Sequence, residues 1–257
     1  MVDLDNFPEL LDEEIEKKAQ ELLENYQNDS DSDYDFVQNM PIAVERIAEK
    51  HLGYDIEITT DGLFEDPDYL GGIHFKDKLI QINGSIENHD GRYSFTVAHE
   101  LGHHCLHKDA LLEMNTGDEN MCREAATKPI AEAQADKFAA YLLMPSGLVL
   151  DAFHRSFGDN SKPFNMNYNN KYKLGTIAQR IIDTGGFSNV SLTAMTNRLI
   201  GMGLIIGLSY QKSVMPDITP KTLKGLWKHY KSTFNKGVKR LKTYNNNKLN
   251  KRRNNND

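Results

Sequence analysis

Two cysteines in 257 residues are too few for a disulfide framework, and Cys105 and Cys122 stand in unlike surroundings, so a reducing compartment is expected. No stretch approaches the roughly eighteen apolar residues that a membrane-spanning helix requires. The opening Met1-Val2-Asp3-Leu4-Asp5 is acidic and lacks the apolar h-region of a secretory leader. Together these absences predict a soluble, cytoplasmic protein. A chain of 257 residues can hold one sizeable core with appendages, or two small domains.

Charge is abundant but unevenly placed, and the net of -7 conceals it. Residues 1–36 carry thirteen Asp/Glu against two Lys, a net of -11; residues 221–257 carry twelve Lys/Arg against one Asp, a net of +11. The acidic end predicts a helix over residues 8–26, with Leu11, Ile15, Leu22 and Tyr26 on one stripe, followed by a flexible linker at Asn28-Asp29-Ser30-Asp31-Ser32-Asp33. The basic end predicts an amphipathic helix through Leu223, Trp227, Tyr230, Phe234, Val238 and Leu241, then a disordered Asn- and Lys-rich tail from Asn245. Its apolar stripe can pack on the protein's own core, while its lysines leave contact with nucleic acid or an anionic surface, or a partner interface, open. The acidic helix is expected to dock near the basic one.

The segment Thr96-Val97-Ala98-His99-Glu100-Leu101-Gly102-His103 carries the chemistry. On a helix, His99 and His103 rise from one face a single turn apart, suited to adjacent corners of a tetrahedral Zn²⁺ site at about 2.0–2.1 Å. Glu100 then points beside the ion, where a general base must stand to take a proton from water. The bare H-E-x-x-H pattern arises by chance in roughly one chain in a hundred of this length, so context decides its value. Phe95, Ala98, Leu101, Gly102, Cys105 and Leu106 form an apolar stripe beside the histidine face. Gly102 weakens a helix, which makes sense if another backbone must approach there.

A second helix is predicted between Pro129 and Pro145, with Ile130, Ala135, Phe138, Ala139, Leu142 and Leu143 on its apolar side. Glu132 on it can complete a His₂Glu site with the fourth position left to water. Asp136, one turn on, is placed to accept the outer N–H of a ligand imidazole, His99 in the first instance. Glu113, Glu119 and Glu124 in the connection remain open as ligands by spacing alone. His107 continues the series but lies about 12 Å along the helix from His99, too far for the same ion. The longer pattern H-E-x-x-H-x-x-G-x-x-H fails, because Leu106 and Asp109 stand where it needs Gly and His. Cys105 reads as core, Cys122 as part of a polar connection, and His104 as facing away from His99.

The chain resembles the ImmA/IrrE family of zinc metallopeptidases. The resemblance is carried by Phe95-Thr96-Val97-Ala98-His99-Glu100-Leu101-Gly102-His103-His104 and by the run from Glu132-Ala133-Gln134-Ala135-Asp136 to Leu142-Leu143-Met144-Pro145. It extends to the stretch from Pro41 to Lys50 and to Gly71-Gly72-Ile73-His74-Phe75 with Ile80-Gln81-Ile82-Asn83, covering about residues 36–210. It implies His99, His103 and Glu132 as metal ligands and Glu100 as catalytic base. The family commonly has Asn where this chain has Asp136, and an Asp can still orient a ligand histidine. Several members cleave helix-turn-helix repressors of mobile elements or DNA-damage regulons, which makes such a repressor the implied protein substrate.

The predicted architecture is α+β: a small antiparallel sheet packed on a zinc-binding helix pair, then a helical, helix-turn-helix-like region and a basic C-terminal helix. A helix over 40–51, a strand over 55–59, a hairpin with strands over 72–75 and 79–83, and the metal-binding helix over 92–107 make up the front of the core. An exposed edge strand above the zinc is expected, by analogy with zinc peptidases, to take an extended peptide. Helices are expected over 174–182 and from an N-cap at Ser191 to about Gly203, and residues 151–172 read as a mobile loop. The expected divisions are 1–35, 36–150, 151–218 and 219–257. His74, Tyr93, His104 and Tyr168 are all conceivable oxyanion stabilisers. Two alternatives stay open: a non-catalytic regulator that binds a repressor, and a DNA-binding protein using residues 174–241. Mn²⁺ or another divalent ion would also accept the His₂Glu donors.

Overall fold

Val97, Ala98 and Leu101 share a helix with the two histidines, and all five are buried, so this helix needs cover on several sides. The computed structural model describes residues 8–29, 35–66, 68–113, 120–122, 130–166 and 170–207. They fall almost wholly within the first of two compact units, Met1–Ile206 and Gly207–Asp257. In chain order the elements are α1 (Asp12–Asn28), α2 (Val44–Arg46, continuing as a π-helical turn to His51), β1 (Asp55–Thr59), β2 (Gly71–His74) and β3 (Leu79–Asn83). Next come α3 (Asp90–Leu106), α4 (Lys108–Glu113), β4 (Asn120–Cys122), α5 (Ile130–Leu143) and α6 (Ser146–Phe157). The series ends with β5 (Phe164–Asn165), α7 (Leu174–Gly185), α8 (Leu192–Gly201) and β6 (Ile205–Ile206). The basic helix and tail, most of the Asp/Ser linker, Glu119, Glu124, Tyr168 and the side chain of Glu113 lie outside the described residues.

The protein is mixed α and β, but the main sheet is not purely antiparallel. Its order is β1-β3-β2-β4, with β1 parallel to β3 and both β2–β3 and β2–β4 antiparallel. Alternation of side chains reports that a strand has two faces and says nothing of its direction, so β1 could not be oriented from its sequence. The β2–β3 hairpin pairs His74 with Leu79 and closes over a turn in which Lys78 takes a positive φ of 52°. Ile73, Ile80 and Ile82 form its buried face, whereas Ile58 on the edge strand β1 stays exposed. Asn83 anchors the loop before β2: its amide nitrogen donates to the carbonyls of Phe64, Asp66 and Tyr69, and its oxygen accepts from Ser85 N. That loop sets the position of Gly71.

α3 and α5 form the principal helix contact. Gly102 supplies the approach foreseen for it: a Cβ there would stand 3.1 Å from Ala135 Cα and 3.2 Å from both Ala135 O and Phe138 Cβ. Two of those neighbours are backbone and cannot swing aside. Gly102→Val is therefore expected to destabilise the fold by on the order of 3 kcal/mol. Gly102→Ala should cost less, because Ala recovers about 1 kcal/mol of helix propensity. Urea midpoints of the two variants check the order, and equal stability of all three proteins would contradict the tight crossing.

The acidic helix α1 packs on α5 and α3 through Ile15, Ala19, Leu22, Leu23 and Tyr26. It starts later than expected, and Leu11 is its exposed N-cap, with its N–H donating to Glu14 Oε2. Residues 151–157 are not loop but the second half of α6. Pro145 ends α5 and at once caps α6, whose Val149, Ala152, Phe153 and Ser156 are buried at helical spacing. α7 ends on Gly186 at φ 75°, and Ser191 Oγ caps α8 by accepting from Ala194 N. The arginine of α8 is committed inside: Arg198 pairs with Glu16 of α1, donates to Met144 O and stacks over Tyr141. Arg180 of α7 lies over the Phe157 ring.

Candidate metal centre

α3 presents His99 and His103 and α5 presents Glu132 to one interior point, while Asp136 and Gln134 of α5 stand behind the histidines, against His99 and His107. His99, His103 and Glu132 are all buried, and their donor atoms form a small triangle. His99 Nε2 is 3.0 Å from His103 Nε2, His99 Nε2 is 3.2 Å from Glu132 Oε2, and His103 Nε2 is 3.2 Å from Glu132 Oε1. A tetrahedral ion bonded at about 2.0–2.1 Å has ligand-to-ligand edges of about 3.3 Å, close to each of these separations, with a different Glu132 oxygen nearest each histidine. Glu132 Oε1 makes no hydrogen bond despite its nearness to His103 Nε2. Two imidazole nitrogens and a carboxylate crowded so closely form a donor set that calls for a shared cation. These three residues fit a divalent metal ion.

The charges around the triangle agree. Burial alone would push His99 down, but Asp136, Glu132 and Glu100 outweigh it and hold the imidazole up at about 9. Burial dominates at His103, which is lowered. Burial would raise Glu132, yet the two imidazoles hold its carboxyl well below the usual range. A site of this kind keeps Glu132 anionic and ready to accept a cation.

Asp136 Oδ1 accepts from His99 Nδ1 at 2.9 Å. His103 turns its Nδ1 toward His107 Nδ1 at 3.0 Å, and His107 Nε2 donates to Gln134 Oε1 at 2.9 Å. Burial pushes His107 down to about 4, so it is neutral. Neither His107 nor Gln134 had a role in the sequence reading. The available signal was His107 repeating the four-residue spacing of the histidines and Gln134 sitting between two acids on one helix. Glu100 is buried beside the triangle, and β2 closes on it: a Cβ on Gly71 would fall 2.9 Å from Glu100 Oε1 and 2.5 Å from Thr96 Cγ2.

A scan against protein-family profiles matches residues 48–180 to the IrrE N-terminal-like domain, a peptidase family. The chain belongs to this family. The match bears out the resemblance read from the motifs, and it spans every residue of the triangle. Comparison with curated proteins gives no match. Membership in a family of peptidases makes the buried His99–His103–Glu132 cluster a metallopeptidase-like centre that could hold a metal ion.

The other candidate residues separate clearly. His74 Nε2 donates to Gln81 Oε1 within the sheet. His104 lies off the triangle, where its Nδ1 is hydrogen-bonded with the Tyr54 hydroxyl at 2.8 Å. Tyr93 lies among Glu45, Glu49 and Glu87, and burial together with their charges raises its hydroxyl. Cys105 is half-buried, and burial pushes its thiol up to about 12, away from thiolate chemistry. Cys122 belongs to β4, not to a polar connection.

His104 yields a pH prediction. Burial pushes it from 6.5 down to about 4. The unfolded chain takes up this proton first as pH falls, so the stability is present above about pH 6.5 and is lost progressively toward pH 4. The expected loss is on the order of 2 kcal/mol. Urea midpoints between about pH 7 and 4.5, taken with chelator present, should fall more steeply for wild type than for His104→Gln. Parallel profiles would remove His104 as the cause.

Proposed function

We propose that the protein is a metal-dependent endopeptidase in which His99, His103 and Glu132 hold the ion, Glu100 is the general base and Asp136 orients His99. The observation that carries this reading is the cluster of two imidazole nitrogens and the Glu132 carboxylate, with separations of 3.0–3.2 Å, beside a buried carboxylate in a peptidase-family chain. Zn²⁺ suits these ligands, and Mn²⁺ is compatible with them. When bound, such an ion polarises a carbonyl and makes water a usable nucleophile near neutral pH. The chain's residues do the rest. Asp136 keeps the His99 ring in one orientation through Nδ1. Glu100 takes the proton from the attacking water and later delivers it to the leaving amine nitrogen. An extended substrate would add to the β4 edge of the sheet by backbone hydrogen bonds.

The proposed substrate is a helix-turn-helix transcriptional repressor of a mobile element or stress regulon, met in the cytoplasm. No helix among the described residues is long and apolar enough to cross a membrane. For the alternative of a DNA-binding protein using residues 174–241, Arg198 of α8 is buried against Glu16 and Tyr141, Arg180 of α7 lies exposed over the Phe157 ring, and the basic residues beyond 207 lie outside the described residues. New protein N-termini compared across a proteome expressing wild type or Glu100→Gln test the proposal. A terminus inside a helix-turn-helix repressor, seen only with wild type, is the expected result. A terminus in another kind of protein would keep the chemistry and overturn the substrate. No difference between two folded, metal-loaded proteins would favour a regulator that binds without cutting.

A further inference from the structure

The metal triangle rests on a chain of neutral hydrogen bonds whose polarity can be followed from its outer end. Gln134 Nε2 lies 2.8 Å from the Pro8 carbonyl, which only accepts, so the amide nitrogen must face Pro8. The amide oxygen then faces inward, 2.9 Å from His107 Nε2, and that nitrogen must carry a hydrogen. His107 is buried between the uncharged Gln134 amide and the His103 ring, so with Nε2 donating it presents a lone pair at Nδ1. The His103 Nδ1 that meets it at 3.0 Å must donate, which leaves the lone pair of His103 on Nε2 at the triangle. Reversing the Gln134 amide would reverse each step and put a hydrogen on His103 Nε2, where the ion would bind.

We infer that Gln134 and His107 are positioning residues for the metal, and that the Pro8 carbonyl of the N-terminal segment sets the tautomer of His103 through them. This deepens the metal-binding reading and rests on it. The two ligand histidines are thus prepared differently. His99 is oriented by the charged Asp136 within the helix pair, whereas His103 depends on a neutral relay closed by a residue 126 positions from Gln134. All of the relay's inner members are buried, so water does not substitute easily for any of them. Arg198 to Glu16 and Lys137 to Asp12 hold the following helix α1 against α8 and α5.

The experiment uses the full chain, zinc as the probe, and two readouts: zinc Kd by chelator competition and histidine tautomers by long-range ¹H–¹⁵N correlation in the metal-free protein. Gln134→Met keeps the size of the side chain and removes the amide. It is expected to weaken zinc binding about 10–100-fold and to lose the pure Nδ1–H form of His103. Gln134→Glu still accepts from His107 and is expected to stay within about threefold of wild type. Zinc binding by Gln134→Met equal to wild type would overturn the relay, as would a Gln134→Glu as weak as Gln134→Met. A wild-type spectrum with His103 protonated at Nε2 would overturn it without any variant. A wild type that takes up no divalent ion, with His103 in the Nδ1–H form, would instead overturn the metal reading on which the relay's purpose rests.

Discussion

Glu100→Gln is expected to abolish peptide hydrolysis while leaving the metal in place. The substitution keeps the size and hydrogen-bonding reach of the side chain but removes its capacity to take a proton. General-base catalysis contributes about 10²–10⁴-fold, so the loss in kcat should fall in that range or below detection. Glu100 is outside the donor triangle, and zinc Kd should change only a few-fold. The assay is cleavage of the target found by the N-terminal survey, with metal content measured on the same sample. Retained hydrolysis would remove Glu100 from the mechanism. Lost hydrolysis together with lost metal would mean that Glu100 supports the site and does not act as a base.

The parts of this centre that could be read in the sequence are those whose geometry is local. His99, Glu100 and His103 sit on one helix, so a four-residue spacing determines their common face. Glu132 needed a second helix, and the prolines at 129 and 145 bracketed it closely enough to count its faces. The relay could not be read, because the polarity of Gln134 depends on a carbonyl from residue 8. β4 escaped because three residues are too few to show a two-residue period. The second half of α6 reads as loop in the sequence because a proline that stops one helix also begins the next. The direction of β1 was hidden for a different reason, since its pairing partner is set by the connection and not by the strand itself.

The burial of α3 also differs from its apolar pattern. The expected stripe ran through Phe95, Cys105 and Leu106, which are only half-buried, whereas Ser94 and the whole run from Thr96 to His103 are buried. Cover by the sheet and by α5 on different sides buries polar and apolar faces alike. That enclosure is what makes the charges at the centre matter. A carboxylate and imidazoles removed from water interact strongly, and each must be matched or must shift its proton affinity. The same enclosure means that small changes in the walls reach the chemistry.

Gly71→Ala is expected to lower kcat by about a hundredfold, the usual cost of misplacing a catalytic group by an ångström. A methyl group at Gly71 would meet Thr96 Cγ2 at 2.5 Å and Glu100 Oε1 at 2.9 Å, both too close to be tolerated without movement. Thr96 is held by a hydrogen bond from its hydroxyl to Arg92 O and is itself fully buried, so it has little room to turn. β2 cannot withdraw freely either, since it is paired on both sides, to β3 and β4. The carboxylate of Glu100 is the mobile partner, and it would be driven from its place beside the triangle. Metal binding should survive, because none of the three donors touches Gly71 in the crowded set. Overpacking should also lower stability by roughly 1–3 kcal/mol, which a urea midpoint would register separately. Wild-type kcat in a folded Gly71→Ala protein would show that the strand yields and that the glycine has no part in placing the base.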